Sequence, residues 1–122
     1  MILIGVALAG ACGAVARFAL ERAVTSRYGH GFPWGTLTVN ATGSLALGVV
    51  AGLVIYHGLG VAPRSVVGAG LLGGYTTFST FAVETVRLWE DFTHRRAAAY
   101  MALSLAGGVG AAALGLALAA AV

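Results

Sequence analysis

Between Gly70 and Glu84 the chain reads GLLGGYTTFSTFAVE, with four hydroxyls (Thr76, Thr77, Ser79, Thr80) following the pair Gly73-Gly74. The stretch lies in a run of 19 residues, Ser65–Val83, without a formal charge. Residues of these types offer dipoles rather than ions. Glycine costs about 1 kcal/mol against alanine in a helix, so the pair makes unwinding easy. Carbonyls freed by unwinding are hard oxygen ligands suited to a small cation. The hydroxyls either bond back to the local backbone or face a pathway. Phe78 and Phe81 are three apart and share one helix face beside the glycines. An aromatic ring has a negative face and a positive edge, so rings turned edge-on favour an anion without presenting a full charge. Asn40 brings an amide and Arg17 a guanidinium to other apolar runs. On the residues alone a second set of readings stays open: a glycine kink with back-bonded hydroxyls, packing phenylalanines, and an arginine that snorkels to the interface.

The elements that must position these groups are membrane spans. The chain has 122 residues, 59% hydrophobic and 9% charged, where soluble chains carry about 25% charge. Its mean hydropathy is +0.92. Uncharged runs cover Ile2–Ala16 (15 residues), Tyr28–Pro63 (36), Ser65–Val83 (19) and Ala97–Val122 (26). A spanning helix needs about 17–25 apolar residues, and the first run reaches that length if Arg17 is accommodated. The sequence therefore predicts an all-α integral membrane protein of four helices in a single domain, 1–122. The expected spans are about Ile2–Ala23, Gly35–His57, Ser65–Val83 and Ala97–Ala121. The third is expected to break near Gly73–Thr77, and ETVRLWEDFTHRR beyond it to lie at the interface. TSRYGHGFPWG reads as an interfacial loop, with Tyr28, Phe32 and Trp34 at headgroup depth. Met1–Ala16 carries no Lys or Arg, which argues against a cleaved signal peptide.

Small residues recur every four positions at Gly5, Ala9, Gly13, at Ser44, Gly48, Gly52, and at Gly107, Ala111, Gly115, Ala119. These flat stripes let helix backbones approach closely. Cys12 is the single cysteine, so no internal disulfide is possible. All positive side chains but the histidines are arginines, seven in number, placed at span ends rather than in a nucleic-acid-binding patch. Arg22, Arg27, Arg87, Arg95 and Arg96 fall on one side against Arg64 on the other. The positive-inside rule then puts both termini outside.

Three stretches together resemble the CrcB/Fluc fluoride channels: GACGAVARF (Gly10–Phe18), PWGTLTVNATGS (Pro33–Ser44) and GLLGGYTTFSTFAVE. They touch three of the four spans in matching order and spacing. The resemblance implies a multi-pass protein of a prokaryotic cell membrane, whose four-helix subunits pair antiparallel and pass fluoride passively out of the cytoplasm, reducing its toxicity. It implies a structural sodium ion, Na+, held between subunits by backbone carbonyls at the positions of Gly73 and Thr76. Phe78, Phe81 and Asn40 match the family's fluoride pathway, and Tyr100 and Ser104 its polar track. Arg17, Thr77, Ser79 and Thr80 match its break and vestibule. The next step of the track falls on Gly108, which has no hydroxyl.

A small multidrug-resistance-type, proton-coupled exporter is the rival reading. It would need an acid deep in a span, whereas Glu21 sits beside Arg22 near a span end and Glu84 borders the charged segment. A scaffold subunit would account for the stripes but not for the polar break. An enzyme fits least, because His30, His57 and His94 fall near span ends with no nucleophile constellation. The arginine bias adds one expectation. A dual-topology homodimer should have balanced loops, so the second subunit is either another copy or an oppositely oriented paralogue.

Overall fold

A computed structural model describes residues 1–122. All regular structure in the chain is helical, and four segments are long and apolar enough to cross a membrane: Ile2–Tyr28, Trp34–His57, Val61–Asp91 and His94–Ala120. The first two are helices α1 and α2. The third segment is two helices. Helix α3 covers residues 61–75, running from Val61–Arg64 through a π-wound stretch, Ser65–Leu72, to a last turn at Gly73–Tyr75. After three non-helical residues, 76–78, helix α4 covers Ser79–Asp91. Helix α5 is His94–Ala120.

Local chemistry sets these ends. Nothing in Val24–Tyr28 breaks a helix, so α1 runs five residues past the expected Ala23 and stops at Gly29, whose φ of 81° suits glycine. Helix α2 ends at Gly58 in the left-handed region. Pro63 occupies the first turn of α3, as expected of a residue lacking an N–H. Thr93 caps α5 by accepting from the Arg96 N–H at 3.2 Å, which starts that helix three residues before Ala97. The third span continues past Val83 because STFAVETVRLWED is a regular amphipathic helix with only Leu88 fully buried.

Only 15 of 122 residues are buried, while Leu8, Val15, Phe18, Leu105 and Val109 are all exposed. That is the surface of a bundle whose outside solvent is lipid. Inside, close approach of backbones replaces a thick side-chain core. A Cβ on Gly48 would overlap the Ala112 carbonyl, and one on Gly115 the Leu45 carbonyl, so α2 and α5 touch backbone to backbone. The same holds for α1 and α3, where Gly13 meets the Leu71 carbonyl and Gly74 meets the Gly10 carbonyl. Within the expected stripes Gly107 departs, for it faces open space. His57 Nε2 lies 2.8 Å from the Ala119 carbonyl and ties α2 to the far end of α5.

Candidate functional site

The third span breaks where expected, with residues 76–78 outside the helix. Gly73 and Gly74 stay helical, and the chain leaves the helix at Thr76, with φ −78° and ψ 158°. Gly74 serves packing against α1 rather than unwinding. What opens the helix is an amide on another helix. The Thr77 N–H, which would close the next turn on the Gly73 carbonyl, donates instead to Asn40 Oδ1 at 2.9 Å. Asn40 Nδ2 returns a bond to the Thr77 carbonyl at 2.8 Å. No backbone N–H then reaches the Gly73 carbonyl. Arg17 does not snorkel: its Nη1 donates to the Thr76 carbonyl at 3.3 Å. A broken backbone in hydrocarbon persists only where its freed groups find partners, and Asn40 and Arg17 are those partners.

The four hydroxyls of the stretch turn out to be local. Thr76 donates to the Leu72 carbonyl at 2.9 Å. The Thr77 hydroxyl donates to Thr80 Oγ1 at 3.0 Å, accepts the Thr80 N–H at 3.2 Å, and so caps the start of α4. Ser79 Oγ stands 3.4 Å from the same Thr77 oxygen. Back-bonding, one of the readings open from the residues alone, describes Thr76, while the Ser79 and Thr80 hydroxyls meet only the Thr77 hydroxyl.

Beside the break lies a groove of about 430 Å³, lined among others by Asn40, Ser44, Gly73, Thr76, Phe78 and Ser104. Phe78 is 79% exposed. Its ring sits 5.8 Å from that of Phe81, tilted by 47°, and Phe81 lines the same groove. The Ser104 hydroxyl oxygen is buried with no hydrogen-bond partner. Ser44, read from sequence only as part of a packing stripe, places a second hydroxyl there. A Cβ built on Gly108 would stand 3.6 Å from Ser44 Oγ, so α2 supplies a hydroxyl where α5 has none.

Tyr100 is fully buried and is not part of the groove lining. Its hydroxyl donates to Glu84 Oε2 at 2.8 Å, while Thr36 donates to Glu84 Oε1 at 3.0 Å. The Tyr100 ring packs on Phe81 at 5.3 Å and edge-on to Phe32 at 5.6 Å. Glu84 thus corrects the sequence reading, which left it at the border of the charged segment. The missed signal was its spacing: Glu84 follows Phe81 by three residues and shares its helix face. The site joins Arg17, Asn40, Gly73, Thr76, Phe78, Phe81 and Ser104 around one break, with Tyr100 and Glu84 behind Phe81.

Comparison with known proteins agrees with this geometry. The family model described as "CrcB-like protein, Camphor Resistance (CrcB)" matches residues 4–116. A Frankia casuarinae protein named fluoride-specific ion channel FluC 1 is 49% identical over 120 residues, covering 92% of this chain and 91% of that protein. A Mycobacterium bovis protein named fluoride-specific ion channel FluC 2 is 45% identical over 114 residues, 93% of this chain and 87% of its own length. A Leifsonia xyli FluC 1 is 45% identical over 97 residues, 80% and 71% of the two chains. With four spans, a broken third helix and a family match along nearly its whole length, this multi-pass membrane protein belongs to the CrcB-like family.

Proposed function

We propose that the chain is the subunit of a fluoride-specific channel that carries the anion passively out of the cytoplasm. The observation that carries this reading is the groove, where the Ser44 and Ser104 hydroxyls engage no protein group and the Phe78 and Phe81 rings stand beside them. Fluoride is small and strongly hydrated, so a path for it must replace water with donors. Hydroxyls, the second N–H of the Asn40 amide and ring edges do so without a fixed charge that would trap the ion. Hydrogen fluoride enters cells as a neutral acid and dissociates inside. An inside-negative potential then drives the anion out with about 2.3 kcal/mol per 100 mV. No coupling ion or nucleotide is needed. A proton-coupled exporter is the weaker reading, since both oxygens of Glu84 are held by hydroxyl donors rather than open to a substrate.

The groove is one wall of a path. Phe78 projects from it with 79% of its surface uncovered, which supports a second subunit facing it. An antiparallel partner would bring a second break opposite the first. Gly73 and Thr76 fit a small cation in that arrangement: the Gly73 carbonyl has no N–H partner, and the Thr76 carbonyl accepts one bond and keeps a second lone pair. A sodium ion bound there would tie the two breaks together and add positive potential to the anion path. A second copy of the chain is the default partner, and the bias of five arginines to one supports an oppositely oriented paralogue as the alternative.

The test is fluoride release from proteoliposomes holding the purified chain, loaded with KF and triggered by valinomycin. Rapid fluoride efflux with chloride retained is expected, from the chain alone or with its co-expressed paralogue. Silence in both preparations would refute the reading. Replacing sodium with N-methylglucamine throughout preparation should reduce the flux. Cysteine accessibility at the two termini separates a fixed from a mixed orientation.

A further inference from the structure

We propose that the cleft between the first loop and α4 is the mouth of the ion route at that end of the subunit. In it Arg87 draws the anion in past His30, and Asp91 opposes its entry. The proposal rests on the fluoride-conducting reading and extends the route beyond the groove.

The connection runs through contacts already described. Phe81 lines the groove, the Tyr100 ring lies 5.3 Å from it, and the Tyr100 hydroxyl is bound to Glu84. Glu84 also lines a separate cleft of about 310 Å³ whose walls include Thr25, His30, Arg87 and Asp91. One side chain is therefore shared between the hydroxyl relay behind Phe81 and a cavity reaching the surface. Glu84, Arg87 and Asp91 are spaced three and four apart, so one face of α4 leads from the relay outward. Arg87 and Asp91 are exposed, as a mouth requires. A neighbouring cleft of about 480 Å³ shares Thr25 and His30 with it and adds Arg22 and Glu21.

The charges give the mouth its sign structure. Glu84 would repel an anion, but both its oxygens accept hydroxyl hydrogens, and Arg87 stands one turn outward on the same face. Arg87 and Asp91 face an incoming ion with opposite charges from a water-filled cleft. A unit charge about 7 Å from the ion in water changes its local concentration by about two- to threefold. That effect falls as salt shortens the screening length to about 3 Å at 1 M.

The experiment uses the full-length chain in proteoliposomes, with initial fluoride efflux read by electrode at low fluoride. Arg87→Gln is expected to lower efflux by about two- to threefold and Asp91→Asn to raise it by a similar factor. Both effects should shrink in concentrated potassium glutamate. On a Cys12→Ala background, His30→Cys labelled with a negatively charged thiosulfonate should slow efflux, and with a positively charged one should speed it. Efflux that ignores both charge variants, or that moves the same way in both, would place the mouth elsewhere. So would labels of opposite charge with equal effect. If the parent chain released no fluoride either alone or with its co-expressed paralogue, the conducting reading would fail, and this proposal with it.

Discussion

Replacing Asn40 tests the central device of the site. In Asn40→Leu the Thr77 N–H and carbonyl both lose their partner, at 2.9 and 2.8 Å. Each unsatisfied buried group costs about 1–3 kcal/mol, so the broken conformation loses about 2–6 kcal/mol against a continuous helix. That alternative is within reach, because the N–H lies one turn from the unoccupied Gly73 carbonyl and can bond to it. Helix closure would mask a carbonyl proposed to hold sodium and turn Phe78 out of register. At about 1.4 kcal/mol per tenfold, efflux should fall at least thirtyfold, and what remains should no longer depend on sodium. Asn40→Asp keeps the acceptor for the N–H but sets a carboxylate against the Thr77 carbonyl, and should be comparably damaging. The assay is fluoride-electrode efflux in sodium and in N-methylglucamine, with gel filtration after heating to confirm folded protein. Folded Asn40→Leu conducting within threefold of the parent, still sodium-dependent, would refute the idea that this amide opens the helix.

Further outcomes follow from the same geometry. Tyr100→Phe removes one of two donors to Glu84, a bond to a charged group worth about 1.5–3 kcal/mol. Efflux should drop about tenfold or more, and a double-mutant cycle with Glu84→Gln should show strong coupling between the two positions. Ser44→Ala and Ser104→Ala each remove one donor from the groove, and each should cut fluoride flux about fivefold, for about 1 kcal/mol. Unchanged flux in both would take those hydroxyls off the path. Gly48→Ala forces a Cβ onto the Ala112 carbonyl. Overpacking of about 1–3 kcal/mol should appear as a lower aggregation temperature in detergent.

Spans were legible in the sequence because a bilayer imposes length and apolarity on each, and the three motifs pointed to the family. The helix ends were not. Charged segments such as Arg22–Tyr28 and Glu84–Asp91 continue a helix into the headgroup region, where hydropathy no longer marks the boundary. The break was legible in kind but misplaced in cause. Gly73-Gly74 looked like the weak point, whereas the helix opens because an amide 37 residues earlier captures one N–H. A long-range hydrogen bond leaves no local trace. The π-wound stretch Ser65–Leu72 was not legible in the sequence, and in it Gly70 packs closely against the Val6 carbonyl. Ser44 and Glu84 each had a commonplace reading, as a stripe residue and as a border charge, and only their neighbours across the bundle gave them another.

The backbone-to-backbone seams carry a mechanical consequence. Helices α2 and α5 form one stiff couple, α1 and α3 another, and the groove takes residues from both: Asn40, Ser44 and Ser104 from the first, Gly73 and Thr76 from the second. Side-chain walls yield by rotamer changes, but where Gly48, Gly115, Gly13 and Gly74 close these seams the contact is with backbone carbonyls and has no rotamer to change. Widening the groove means sliding one couple against the other and stretching the Asn40–Thr77 bonds that strap them together. Such a passage hangs its side-chain lining on a stiff main-chain frame, so a larger halide would be refused by rigidity as well as by chemistry.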